Sequence, residues 1–156
     1  MKIAEGTLGR VFVLRLEDGE RLPDCVEAFA AERGVSRAFC ALVGGVEGGG
    51  IVTGPKAGPD GTALMPPEPV FMALAGVQEV AAVGTLFPDE AGRPRLHMHG
   101  AFGRGEEARV GCIRPGPDNQ TIGVWTIGEF LIIELKGLDM VRRRDPATGF
   151  ELLSAS

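Results

Sequence analysis

Turn-forming residues punctuate this chain so often that only one stretch of it is left for a long helix. Its 156 residues include 24 glycines and 11 prolines. Between them lie short runs rich in Val, Ile, Leu and Phe. Glycine and proline weaken helix interiors, whereas β-branched and aromatic side chains suit a pleated, half-buried surface. The exception is 22–34, where Pro23 suits a first helical turn, Asp24 favours the positive end of the dipole and Gly34 stops the helix. Leu22, Cys25, Val26, Phe29 and Ala30 follow helical spacing there, which makes Cys25 a core residue rather than a reactive one.

Strands are expected over 10–16, 38–43, 70–74, 78–87, 95–102, 108–113, 121–125 and 129–135, with shorter ones at 51–53 and 140–144. Cys40 falls in the second of these and reads as a small buried hydrophobe. The segment 44–50 holds five glycines but no phosphate cradle, because it lacks both the GxGxxG register and a following helix. The segment 55–69 carries five prolines and reads as a mobile loop. About eight strands, mostly joined by hairpins, and one helix describe an α+β fold, a curled and mainly antiparallel sheet or barrel. No repeat or boundary divides it, so a single domain is expected over 1–156, with its core at 8–150.

Charge narrows the partners. The net charge is -5 and the pI about 5.1, a field that repels polyanions. The one basic run, Arg142-Arg143-Arg144, reads as a solvated strand end. No apolar run approaches the roughly 20 residues of a membrane span, and Met1 to Gly6 does not resemble a secretory signal. Three widely spaced cysteines, Cys25, Cys40 and Cys112, suit free thiols in a reducing cytoplasm. The sequon at Asn119-Gln120-Thr121 has no use there.

The chain has two histidines, His97 and His99. On a strand they project to one face, about 7 Å apart. A hairpin closing at Arg104-Gly105 places Cys112 opposite His97 and Val110 opposite His99, so the two imidazoles and the thiol share that face. Zn²⁺ accepts imidazole nitrogen and thiolate sulfur, and three protein ligands leave a fourth position open. His-x-His also occurs as an ordinary exposed strand pair, and a bulge would turn Cys112 away.

Several segments resemble the PPC domain family (plants and prokaryotes conserved, DUF296), and the likeness spans nearly the whole chain. They are the strand from Gly9-Arg10 with its Asp18-Gly19-Glu20 turn, the strand ending in Gly44-Gly45, and Glu79-Val80 followed by Gly84-Thr85. His97-Met98-His99, Thr126-Ile127-Gly128-Glu129 and the tail from Arg144-Asp145-Pro146 to Phe150 complete the set. The resemblance implies a stand-alone prokaryotic member that assembles as a homotrimer. It also implies a metal site in which a third histidine of a Gly-Gly-His-Leu motif joins the His-x-His strand. Here that stretch is Val110-Gly111-Cys112-Ile113, so cysteine replaces histidine, one zinc ligand for another, a change that keeps the site, shifts it toward softer ions or makes it oxidisable. The expected metal set is therefore His97, His99 and Cys112, holding zinc or another divalent transition metal.

Family description further implies a regulatory, DNA-associated role, with DNA or a transcription-related protein as partner. Gly92-Arg93-Pro94-Arg95 resembles an AT-hook core, but Ala91 stands where the leading arginine belongs, and the stretch reads as an inter-strand loop. The plant partner-binding hexapeptide aligns with 76–81, where only the Gly and Glu match. Two alternatives stand beside this role. One is a zinc-dependent small-molecule enzyme or sensor resembling acetolactate decarboxylase, for which Arg10, Glu79 and Glu129 could supply acidic and basic groups. The other is a purely structural trimerisation module. No catalytic set is assigned.

Overall fold

The branched and aromatic runs pair into one large sheet in the computed structural model, which describes residues 1–155. In chain order the elements are β1 (Thr7–Leu16), β2 (Arg21–Leu22), α1 (Asp24–Arg33), β3 (Ala38–Glu47), β4 (Gly50–Pro55) and β5 (Pro69–Ala73). They continue with β6 (Val77–Pro88), β7 (Pro94–Arg104), β8 (Glu107–Ile113), β9 (Ile122–Lys136), β10 (Met140–Arg144) and β11 (Glu151–Ala155). The sheet runs β1-β9-β3-β6-β7-β8-β4-β5, with β2 also on β9, and β10-β11 form a separate hairpin. Every strand pairing is antiparallel. The α+β expectation of a curled antiparallel sheet with one helix is met; the sheet does not close into a barrel.

Three local departures from the expected elements have physical causes. The two strands expected at 121–125 and 129–135 are one bent strand, β9. Its bend falls at Thr126, which adopts φ 56° and donates its amide to Asp18 Oδ1 at 2.7 Å. β3 runs on through Gly44 and Gly45. Gly44 has φ 142°, and a Cβ there would collide with the Ile127 carbonyl, so glycine lets the two strands close up. Leu22 pairs with β9 as part of β2, and Pro23 takes the cap position before the helix. The loop after β4 satisfies its own backbone, with Lys56 N to Glu68 O at 2.7 Å and Leu64 N to Lys56 O at 2.9 Å.

Alternation sorts the strands into two faces. On one, Leu42, Leu86, Met98, Phe102, Phe130 and Ile132 are fully buried, and α1 adds Val26 and Ala30. Burying a side chain of this size contributes about 1.5–3 kcal/mol, so this layer dominates the fold's stability. The helix ends as expected at Gly34 in the left-handed conformation, with Val35 N bonded back to Ala30 O at 2.8 Å. It also anchors the start of β7. Glu27 accepts from the Leu96 amide at 2.9 Å and from Arg95 at 3.1 Å. Cys40 lies in the core and Cys25 packs half-buried against it, as expected. Burial pushes their thiols up to about 12 and about 11 respectively, so both are inert at neutral pH.

The opposite face is uncovered across its centre. Direct cross-strand partners form a row Val13–Leu131–Ala41–Val83–His99–Cys112, and beside it a row Val11–Ile133–Phe39–Thr85–His97. Val13, Val11 and Val83 are 76%, 61% and 58% exposed. An apolar stripe thus crosses the sheet and ends on the histidines. No helix is long and apolar enough to cross a membrane.

Candidate metal centre

Alternation on β7 fixes the two histidines. Leu96, Met98 and Gly100 point into the core, so His97 and His99 point out on the same side. Their Nε2 atoms are 3.1 Å apart, with the rings nearly perpendicular. The packing beneath keeps β7 close to β6. A Cβ on Gly84 would meet the His97 carbonyl, and it would come within 2.6 Å of Met98 Cα.

The β7–β8 hairpin then delivers the thiol. Its ladder pairs His99 with Cys112, Ala101 with Val110 and Arg104 with Glu107, so the turn residues are Gly105 and Glu106. The expected turn at Arg104-Gly105 lay one residue too early. Cys112 therefore stands across from His99 rather than His97, and Val110 across from Ala101 rather than His99. Moving the turn by one residue shifts each partner by two, which preserves the face. The three donor atoms of His97, His99 and Cys112 accordingly lie within 4.8 Å of one another, with Cys112 buried and both histidines exposed.

Electrostatics favour neutral imidazole at the first ligand. Part of the His97 ring touches solvent, yet the surrounding protein strips water from its charged form. Together with the guanidinium of Arg142 and the neighbouring His99, this holds its pKa down at about 4. The ring is unprotonated at pH 7, the form that donates to a metal. Burial raises the Cys112 thiol, with Arg114 and Arg142 opposing. A metal would displace its proton on binding. The donor set fits a borderline-soft divalent ion: two imidazoles and one thiolate, close enough to converge on one centre.

Other residues considered from sequence are not brought there. Arg10 is held at the far edge by Glu134, through two contacts of 2.8 Å. Glu79 pairs with Gly103, four residues along β6 from the Val83–His99 pair. Glu129 lies on β9, opposite Arg15 and Val43. Arg93 and Arg95, the AT-hook-like pair, are engaged by Asp89 and Glu27.

One expectation is reversed. Arg142, read as part of a solvated basic end, is 7% exposed, while Arg143 and Arg144 beside it are exposed. Strand alternation on β10 turns it inward, and its Nη2 donates to Thr85 Oγ1 at 3.1 Å. Thr85 is the direct cross-strand partner of His97. Sequence reasoning missed both residues. Three successive arginines carry no signal for which one a strand will bury.

Known proteins place this geometry in context. A metal-containing protein from Archaeoglobus fulgidus is similar in structure, with TM-score 0.79 and 24% identity over 99% of each chain. A plant- and prokaryote-conserved protein from Pyrococcus horikoshii is similar at TM-score 0.78 and 22% identity, covering 100% of this chain and 99% of its own. A third, from Ralstonia eutropha JMP134 and provisionally named as DNA-binding, has TM-score 0.68 and 15% identity over 92% of this chain and 90% of its own. At these identities the likeness establishes the fold. No curated protein matches the chain. The model of the Plants and Prokaryotes Conserved (PCC) domain matches residues 3–136, nearly all of the sheet together with the His97-Met98-His99 strand and Cys112, and the chain therefore belongs to that family.

Proposed function

We propose that this protein is a homotrimeric, metal-binding PCC-domain protein with a regulatory, DNA-associated role, and that zinc held by His97, His99 and Cys112 is its resident ion. The observation that carries this reading is the convergence of three donor atoms within 4.8 Å on one face of the β7–β8 hairpin. Bound there, zinc would supply a Lewis-acidic centre with one open coordination position. A cytoplasmic location suits a chain whose three cysteines are all free.

Assembly is supported by the apolar stripe. Val11, Val13, Val83 and Val110 are exposed on one face of the sheet, the kind of patch that closed oligomers cover. The trimeric number follows from the family resemblance. Association with DNA is supported by the provisional name of the Ralstonia relative, and it works against a net charge of -5.

Elemental analysis and native mass spectrometry of protein purified without a metal-affinity tag test the first two parts together. The expected result is a trimer carrying about one zinc per chain; a metal-free monomer overturns both. For the third part, a mobility-shift assay at low salt should show a complex, and a flat response overturns the DNA role.

A further inference from the structure

Arg142 is a buried cation with most of its hydrogen-bonding capacity unused. Its guanidinium carries five N–H donors, yet among the described residues its only side-chain hydrogen bond runs from Nη2 to Thr85 Oγ1, and Nε is buried with no partner among them. Among the described residues no carboxylate lies within ion-pair distance of it. Burial weighs most against its charge, Glu151 and the Cys112 thiolate are near enough to favour it, and Arg114 and Arg95 oppose it as well. A buried cation with no counter-charge in direct contact is costly.

The location of that charge is informative. Thr85 holds it beside His97, and its field reaches both His97 and Cys112. A divalent ion on two neutral imidazoles and one thiolate would leave the centre with a further positive charge. Arg142 and Arg114 add to it. A fourth ligand at such a centre would enter a concentration of positive charge, with unused N–H donors of Arg142 held beside Thr85, the strand partner of His97.

We infer that the site binds a small carboxylate, one oxygen on the metal and the other accepting from Arg142. This rests on the metal reading given above and adds its ligand class. A carboxylate matches the planar fork of a guanidinium, and the Nη N–H groups that Thr85 leaves unused would donate to it. Arg142 is here a ligand-binding residue, and Thr85 positions it.

The test uses the full chain loaded with Co²⁺, whose visible bands report the occupant of the open position, and acetate as the probe. Acetate should shift the bands saturably, and neutral acetamide should not. R142Q should take up the same Co²⁺ but bind acetate about 10- to 100-fold more weakly, the loss expected for charge-assisted hydrogen bonds. Unchanged acetate affinity in R142Q, or an equal response to acetamide in the wild type, overturns the inference while leaving the metal reading intact. Failure of the wild type to bind Co²⁺ overturns the metal reading and the metal-anchored ligand with it. If R142Q does not fold, T85V removes the hydroxyl that holds Nη2 and should weaken acetate severalfold; an unchanged affinity there also counts against the proposal.

Discussion

Cys112 stands directly across the β7–β8 ladder from His99, and on the same face as His97 two residues away. That relationship makes the thiol a candidate ligand rather than a lone buried cysteine. C112S keeps a donor of similar size but loses the soft thiolate. Co²⁺-loaded protein should therefore lose its thiolate charge-transfer absorption, and zinc affinity should fall by at least about tenfold. Competition with a chromogenic chelator measures it. Retention of the charge-transfer band would place the thiolate elsewhere.

Gly84 is where the ligand strand rests on its neighbour. G84A forces a Cβ against the His97 carbonyl and the Met98 backbone. The expected cost is about 1–3 kcal/mol in chemical denaturation, typical of overpacking. Because the strain falls on the residues between the ligands, zinc affinity should drop as well. Normal affinity in a destabilised protein would mean that β7 relaxes without moving its histidines.

In the core, Phe130 is fully buried on β9, between the edge strand β1 and β3. F130A should cost about 3–5 kcal/mol, or prevent folding at 37 °C. Equilibrium urea unfolding gives the value directly.

The apolar stripe gives an assembly prediction. V83K places a charge in the middle of the row that runs from Val13 to Cys112, next to His99. Its exposed position makes the change tolerable to the monomer, whereas a covered interface would not accept it. Light scattering coupled to gel filtration should show monomers replacing trimers, with an unchanged circular dichroism spectrum. A persistent trimer would locate the interface on another surface.

Acid sensitivity should come in part from the far edge of the sheet. Arg10 holds the Glu134 carboxyl down at about 2, below its ordinary value of 4.5, chiefly through the side-chain hydrogen bond. A folded-state value below the unfolded one contributes stability that is complete above pH 4.5 and lost as pH falls toward 2. E134Q should therefore lower Tm at pH 7 and narrow its difference from wild type between pH 5 and pH 2. A constant difference across that range would show that the pair does not contribute through ionisation.

The sheet and its helix were legible because turn residues and alternation act locally, as did the Gly34 stop and the core roles of Cys25 and Cys40. The joining of 121–125 to 129–135 was not, since it depends on Thr126 adopting a positive φ while its amide donates to Asp18 in a distant turn. At the site, the shared face of His97, His99 and Cys112 followed from parity and survived a turn misplaced by one residue. The exact partner did not survive it. Arg142 could not be found this way, because what buries it is a hairpin laid over strands far from it in sequence.

That hairpin has a consequence for how such sites diversify. All three proposed metal donors lie within residues 3–136, the portion the family model describes, whereas Arg142 and Glu151 come after it. On the proposals above, the groups that would choose the ion sit inside that portion, while the guanidinium that would discriminate among anions sits outside it and depends on Thr85 within it. Exchanging 137–155 between relatives should alter which anion is admitted and leave the bound metal the same, a modularity that a pocket built wholly within the sheet would lack.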